Sequence, residues 1–453
     1  MTEPQSFRRR GVFAWMLFDW ANQPFQTLIV TFIFAPWFVA AVVGDPVAGQ
    51  ALWGSASAVA GAAVAILAPI LGAVADRTGA RKPWVAAFSL PYVLGCLGLW
   101  LAHPGMPDPR LVLACYVLAY VGSEFTLIFN NAMLPDLGPR REVGRISGSG
   151  WALGYVGGLV SLFLVLGFLA PVPGGTVTLL GIAPLFGLDA AAGAPARATG
   201  PLSALWYLVF AWPFFLLTPD RPAAARLGPA ARAGLGDLRA TLAVLGRHRS
   251  LLTYLAASML YRDALAALFI FGGVYAAGVL GWDTFALGLF GILAAGAGAL
   301  GAWIGGRADR AFGPRPVIVV AIWLLVAVSV VVLLTDRQSV LLLPVAPGSR
   351  LPDLIFFLAG AGLGAGAGVL QAASRTLLVH QAEGRLAAAQ AFGLYALSGR
   401  VTAFIAPALI AATTAITSSQ RLGVAPVILL FLLGLALLYF VEPQPDPPGD
   451  LPR

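Results

Sequence analysis

Apolar residues occur along this chain in runs of about twenty, and charged residues are concentrated in the short segments between the runs. A helix of that length crosses a hydrocarbon core of about 30 Å, whereas strands of a membrane barrel would alternate apolar and polar residues over about ten positions. The pattern therefore predicts an all-α polytopic membrane protein. The twelve predicted spans are 11–42, 51–75, 83–103, 111–134, 146–170, 202–218, 251–277, 284–306, 316–335, 352–376, 386–413 and 424–441.

The composition supports a chain that lies mostly within lipid. Hydrophobic residues make up 59% of the 453 residues and charged residues only 11%, whereas about 25% is usual in soluble domains. A water-facing surface cannot be built from so few charges. The formal net charge of +8 therefore indicates basic loops beside a membrane rather than a nucleic-acid partner.

Basic residues are distributed unequally between the two sides of the predicted spans. With the N-terminus inside, 21 of the 28 lysine and arginine residues fall on the inner side and five on the outer side. This bias predicts that both termini are cytoplasmic. The first apolar run is too long for a signal peptide, and we expect a multi-pass protein of a bacterial inner membrane.

Two long connections interrupt the spans. Residues 171–200 are rich in glycine, proline and alanine and are expected outside, either as a cap over an entrance or as a passive loop. Residues 219–250 carry six arginines and join spans six and seven. We predict an N-terminal six-helix bundle at 1–218, a cytoplasmic linker at 219–250 and a C-terminal six-helix bundle at 251–453.

A charged motif occurs once in each predicted bundle. GAVADRTGARK spans 72–82 and GGRADRAFGPR spans 305–315, and the two aspartates are 233 residues apart, about half the chain. Parallel repeats of this kind occur in the two halves of some membrane carriers. Glycine permits close helix approach and aspartate can cap a helix end, although a charged turn that only fixes topology is the alternative. The candidate gate residues are Gly72, Asp76, Arg77, Arg81, Gly305, Asp309 and Arg310.

The paired loops resemble the signature of the major facilitator superfamily, and five further strings are similar to its vacuolar-effluxer branch, whose founding member is an autophagy-related yeast protein. This resemblance implies two six-helix bundles around a central cavity and solute export, with amino acids as the substrates assigned to the yeast member. Arg262 and Arg400 depart from the family strings. The five strings are LFDWANQPFQTLIVTFIFAPWF (17–38), NNAMLPDL (130–137), SGSGWALGYVGG (147–158), MLYRDALAALFIFGGVYAAG (259–278) and AFGLYALSGRVTAFIAP (391–407).

Polar residues in the first span share one helical face. Asp19, Asn22, Gln23 and Gln26 follow the spacing i, i+3, i+4 and i+7. Such a stripe is too costly against lipid, since a charge at mid-bilayer costs at least a few kcal/mol. The face is expected to line a solute path or to make a polar contact with a neighbouring helix, and both remain open.

The seventh span, the repeat partner of the first, contains Tyr261, Arg262 and Asp263. Adjacent residues on a helix point about 100° apart, so Arg262 and Asp263 need different partners. We expect Arg262 to pair with Asp19 or Glu124, and Arg400 with Asp263. Ion pairs that only lock the bundle are the alternative.

Three further residues complete the candidate cavity. Glu124 lies in span four, where burial favours proton uptake by a carboxylate, and Asn130 follows it. Gln371 lies near the inner end of span ten, beside Ser374 and Arg375, and is expected near an inner gate.

The expected function is that of a secondary active transporter, which moves a small polar solute by alternating access and draws on a proton gradient or on the solute's own gradient. No GxxxxGK[ST] loop, metal-ligand spacing or nucleophile with its base occurs in the sequence, so we expect no enzyme activity, cofactor or metal. We expect a monomer. A lipid or drug exporter, and a receptor or scaffold that transports nothing, remain the alternatives.

Overall fold

The computed structural model describes residues 5–172, 175–226, 228–230, 233–234, 236, 248–280, 282, 284–401 and 405–442. Apolar runs form long helices because a helix satisfies every backbone hydrogen bond within its own segment. We number the helices after the predicted spans. They are α1 Gln5–Pro24, α2 Pro46–Thr78, α3 Lys82–Gly98, α4 Arg110–Asn131, α5 Arg140–Leu164, α6 Ala194–Leu217, α7 Arg249–Gly278, α8 Thr284–Phe312, α9 Pro314–Leu333, α10 Leu351–Ala382, α11 Ala388–Val401 together with Ile405–Thr417, and α12 Ala425–Tyr439.

Shorter elements extend or connect these helices. Wide π-helical turns at Phe25–Phe32 and Phe38–Val43 flank the helix Phe34–Trp37 after α1, and Val165–Leu169 extends α5. Tight 3-10 turns occupy Leu99–Leu101, Leu134–Asp136 and Leu185–Gly187, and Gln420–Gly423 is a single helical turn. The strands β1 Ser339–Val340 and β2 Leu343–Pro344 form an antiparallel hairpin between α9 and α10, with Ser339 opposite Pro344.

The predicted all-α membrane architecture is confirmed. Ten helices of the described chain, from α1 to α10, are long and apolar enough to cross a membrane. The outward faces carry large apolar side chains such as Ile66, Leu90 and Val320, each more than half exposed, as a lipid-facing surface requires. The helix α12 has 15 residues and α11 is described in two parts, so the count of twelve spans stays a prediction.

Several helices extend beyond the predicted spans, as α5 does at Arg140 and α8 at Phe312, and two of the differences concern arginines. The sixth span was placed at 202–218, but α6 begins at Ala194, because Pro195 suits a first helical turn and Arg197 donates two hydrogen bonds to the Trp100 carbonyl. The tenth span was ended at 376, but α10 continues to Ala382. This extension places Arg375 inside the helix rather than at its inner end, where the charge count had put it.

Glycines bring helices of the two predicted bundles into backbone contact. A Cβ on Gly72 would lie 2.5 Å from the Ala389 carbonyl oxygen, where α2 meets α11. A Cβ on Gly148 would lie 2.4 Å from the Ala302 carbonyl oxygen, where α5 meets α8. Real side chains do not fit at such distances, so glycine is required at both crossings.

One end of the bundle holds the connections 79–81, 132–139, 313 and 383–387, and we call it the basic end. The cross-bundle contacts of α2 with α11 and of α5 with α8 lie towards this end. The two predicted bundles are therefore closed against each other there.

Candidate solute site and gates

A buried ion pair connects the two predicted bundles. Asp19 of α1 accepts hydrogen bonds from both terminal nitrogens of Arg375 of α10, each 3.2 Å from Asp19 Oδ2. Both residues are at most 7% exposed. Each of these buried charges is compensated by the other, so the loss of either one would leave an uncompensated charge away from water.

Aromatic rings and a glycine shape the space around this pair. The Arg375 guanidinium lies 5.5 Å from the ring centre of Trp15 and 5.3 Å from that of Trp151, within the range of cation–π attraction. A Cβ on Gly150 would lie 2.7 Å from Asp19 Oδ2, so α5 needs glycine there to admit the carboxylate. Residues of α1, α5 and α10 thus build one polar site.

The α10 segment 371–376 connects to four other helices. Gln371 donates to the Tyr155 hydroxyl at 3.2 Å, and the Ala372 carbonyl accepts from Ser147 at 2.9 Å, both on α5. Ser374 bonds to Tyr254 and Tyr261 of α7, and Arg375 bonds to Asp19 of α1. The Thr376 hydroxyl donates to the Ala372 carbonyl of its own helix and lies beside Asp309 of α8. A movement of one bundle against the other must therefore rearrange this segment.

The polar residues on one face of α1 contact different neighbouring helices. Asn22 is buried and exchanges hydrogen bonds with Ser123 of α4, accepting from its hydroxyl at 3.0 Å. For Asn22, the structure therefore shows the second of the two alternatives given for this face, a polar contact with a neighbouring helix. Gln23 and Gln26 are half-buried, and Gln23 approaches Gly154 and Gly158 of α5.

Span four contributes a buried amide to the same region. Asn130 is fully buried, and its backbone carbonyl accepts from the Trp15 indole nitrogen at 2.7 Å. Among the described residues, its side-chain amide has no hydrogen-bond partner, an arrangement that a polar ligand or water would relieve. Glu124 lies half-buried on the same helix.

The polar residues of α7 point towards different neighbouring helices. Tyr261 is fully buried and shares a 2.8 Å hydrogen bond with Ser374. Asp263 is also buried. The Arg262 guanidinium stacks 4.1 Å from the ring centre of Tyr395 and donates to that residue's carbonyl at 3.2 Å.

The predicted pairing of Arg262 with Asp19 is therefore wrong, because Asp19 pairs with Arg375 and Arg262 lies against α11. The alternative pairing of Arg262 with Glu124 stays a prediction. The side chain of Arg400 lies outside the described residues, and its pairing with Asp263 stays a prediction as well.

The first charged motif lies where α2 meets α11. Asp76 accepts the backbone N–H groups of Ala389 and Gln390, the latter at 2.8 Å, and so caps the N-terminus of α11. Asp76 also pairs with Arg81, which is 1% exposed and donates to the Ala75 carbonyl of α2. Burial lowers the pKa of the Arg81 guanidinium. Arg77 points outward and is exposed.

The second charged motif lies at the related crossing of α8 with α5. Asp309 is buried, and a Cβ on Gly144 of α5 would lie 2.5 Å from its carboxyl carbon. Arg310 pairs with Glu142 near the N-terminus of α5 at 2.9 Å. Gly305 packs against Val369 of α10. Both motifs thus face the N-terminus of a helix in the other predicted bundle.

The first residues of the predicted linker make hydrogen bonds to the first charged motif. Asp220 accepts the backbone N–H groups of Arg81 and Lys82, and the Ala224 N–H donates to the Thr78 carbonyl at 2.9 Å. Arg221 makes two 2.7 Å hydrogen bonds to Asp136, which raise the pKa of its guanidinium.

The helices are apolar, the centre of the bundle is polar and buried, and two related motifs close one end. This arrangement is typical of a transporter of the major facilitator superfamily. A family model confirms the more specific resemblance, since the model described as "Vacuole effluxer Atg22 like" matches residues 38–444. The chain belongs to this family, whose members are non-enzymatic carriers.

Similar proteins agree with this assignment. An uncharacterised MFS-type transporter of Bacillus subtilis, YxiO, is 23% identical over 436 residues, covering 95% of this chain and 94% of that protein. Among solved structures, the human organic anion transporter MFSD10 (TETRAN) matches with a TM-score of 0.68 and 16% identity, covering 95% of this chain and 99% of that one. The Escherichia coli fucose:proton symporter FucP matches with a TM-score of 0.69 and 14% identity, covering 96% and 98%. At these identities the structures show the fold.

Sequence reasoning missed the role of Arg375 as the partner of Asp19. Its charge was counted as an inner-side topology signal because the tenth span was ended one residue after it. An available signal was the continued apolar periodicity through Leu377, Leu378 and Val379, which carries the helix onward.

Proposed function

We propose that this transporter exports a small zwitterionic solute, with amino acids as the substrate class, by alternating access of two six-helix bundles, 1–218 and 251–453. The observation that carries the proposal is the buried Asp19–Arg375 pair between α1 and α10. Opening the passage separates these two charges, which costs several kcal/mol if either is left without a counter-charge.

An amino acid supplies both missing counter-charges. Its carboxylate suits the Arg375 guanidinium, and its ammonium group suits the Asp19 carboxylate. Trp15 and Trp151 flank the guanidinium and offer apolar surface to a side chain. The polar residues nearby would orient the solute, namely Asn22, Gln23, Gln26, Asn130, Tyr261 and Gln371.

The two charged motifs act as gates in this proposal. Asp76 on the α11 N-terminus and Asp309 beside α5 hold the basic end closed, and their release opens it. With the basic end in the cytoplasm, as the arginine bias predicts, the structure corresponds to a state that is closed towards the cytoplasm. Proton coupling that involves Glu124 is part of this proposal, and the named coupling of the fucose:proton symporter, which shares this fold, lends support.

Transport in proteoliposomes tests the proposal. Labelled amino acids are offered one at a time, with and without an imposed pH gradient, to wild type, Asp19→Asn, Arg375→Gln and the control Arg110→Gln. Arg110 is a matched control because its side chain is 89% exposed. We expect flux in wild type and the control, and its loss in the two pair variants. Absence of flux for every amino acid would refute the substrate class.

A second candidate, organic anion transport, is favoured by the aromatic surroundings of Arg375, and the human MFSD10 is named as an organic anion transporter. An anion needs Arg375 but not Asp19. Flux of an aromatic carboxylate that survives in Asp19→Asn but not in Arg375→Gln would select this candidate over the zwitterion.

A further inference from the structure

A groove at the basic end carries three arginines that the contacts of the solute site and the gates do not involve, and it shares only Glu142 with the second charged motif. It lies between α1, α5 and α8, has a volume of about 790 Å³, and is lined by Arg9, Arg145 and Arg307 together with Glu142. The volume is within the range of pockets that hold small ligands. Three arginines against one glutamate leave the groove positively charged.

The glutamate is already compensated by its neighbours. Glu142 pairs with Arg145 at 2.6 Å and with Arg310 at 2.9 Å. The charge that remains for a ligand is therefore positive, and an anion complements it.

The groove lies at the level of lipid headgroups. Arg9 opens the first apolar span, Arg145 lies in the second turn of α5, and Arg307 lies within two turns of the end of α8. The apolar surface next to it faces acyl chains, since Phe13 in the groove is 56% exposed and Trp303 beside Arg307 is 44% exposed. Basic pockets between membrane helices at this depth suit anionic headgroups.

We propose that this groove binds the headgroup of an anionic phospholipid, with its acyl chains lying along Phe13 and Trp303. Arg9 and Arg145 belong to the first predicted bundle and Arg307 to the second, so one headgroup connects the two. The lipid then favours the conformation closed at the basic end, because opening that end separates its ligands. The site does not depend on which solute is carried.

Trp303 provides a reporter, because the Arg307 guanidinium lies 3.4 Å from its ring centre. The full-length protein is placed in phosphatidylcholine bilayers that contain either brominated phosphatidylglycerol or brominated phosphatidylcholine. The Trp303 contribution to quenching is the difference between wild type and Trp303→Phe. We expect stronger quenching by the brominated phosphatidylglycerol.

Each arginine is neutralised in turn, as Arg9→Gln, Arg145→Gln and Arg307→Gln. We expect each change to weaken the preference for phosphatidylglycerol roughly fivefold, as the loss of one basic residue at a membrane surface does. The matched control is Arg141→Gln, an exposed arginine on the first turn of α5 that does not line the groove. Size-exclusion profiles confirm that each variant is folded.

Two results would overturn the proposal. One is equal quenching by the two lipids in wild type. The other is a loss in Arg141→Gln as large as in Arg307→Gln, which would show diffuse attraction between a basic surface and an anionic membrane. Retained preference in the control together with loss in the three groove variants would support it.

Discussion

Replacing Arg375 with glutamine tests the central physical claim about this transporter. The substitution removes the positive partner of Asp19 and leaves its carboxylate 7% exposed, between α1 and α5. Glutamine retains most of the side-chain length, so the loss of packing is small. The effect should therefore arise from the unpaired charge.

The magnitude follows from burial. Removing one member of a buried ion pair costs about 3–5 kcal/mol, because the other charge is left without compensation. The pair joins the two predicted bundles, so this cost falls on the conformation closed at the basic end and is relieved where water reaches Asp19. At 1.4 kcal/mol per tenfold, the ratio of closed to open molecules falls by roughly two to three and a half orders of magnitude.

Distance measurements by electron spin resonance check this shift. Spin labels at Arg141 of α5 and Ala387 before α11 lie on exposed positions of opposite bundles at the basic end. The labels are attached to introduced cysteines, so Cys96 and Cys115, the two native cysteines, are first replaced to give the parent protein for these measurements. We expect a single short distance in the parent and a longer distance in Arg375→Gln.

The double variant Asp19→Asn/Arg375→Gln separates charge from packing. With both charges gone, no unpaired ion remains, and the closed state should recover most of its population. A double variant that is as open as the sum of the two single variants would refute the reasoning. So would a distance that does not change in Arg375→Gln.

Three further outcomes are expected. Gly72→Val should lower transport strongly, because its Cβ would lie 2.5 Å from the Ala389 carbonyl oxygen, whereas Gly54→Val on the same helix, with no atom within 4 Å, should transport normally in proteoliposomes. Gly150→Ala should open the basic end by the same distance assay, since its Cβ would lie 2.7 Å from Asp19 Oδ2, whereas Gly154→Ala, at 3.5 Å from its nearest neighbours, should not. A fluorescent protein fused after residue 453 should fluoresce and alkaline phosphatase inserted at residue 181 should be active, and the reverse pattern would disprove cytoplasmic termini.

The fold was predictable because lipid imposes one simple requirement along the whole chain. Apolar runs of sufficient length must be helices, and the alternation of arginines then orders them. The repeat of Asp76 and Asp309 predicted equivalent positions, and the structure places each beside the N-terminus of a helix in the other predicted bundle. Boundaries failed where polar residues lie inside a helix, as Arg197 does in α6.

The site was only partly predictable, because periodicity shows which face of a helix is polar and not what it meets. Asp19 and Asn22 share the face of α1, yet one bonds to α10 and the other to α4. Asp19 was one of the two partners expected for Arg262, but Arg262 lies against the ring and the backbone carbonyl of Tyr395 while Asp19 pairs with Arg375. Choosing between such partners requires the packing angles of helices that are far apart in sequence.

The α10 segment 371–376 links the proposed solute site to the proposed gates, because neighbouring residues of this helix approach both. Arg375 pairs with Asp19 of the proposed solute site, and Thr376, the next residue, lies beside Asp309 of the proposed second gate. These side chains point about 100° apart on one rigid helix, so neither can move far without the other. We therefore expect a solute that displaces Asp19 from Arg375 to disturb the surroundings of Asp309, which packs against Gly144 of α5. In the proposed mechanism, coupling between solute and gate depends on two neighbouring positions on a single helix.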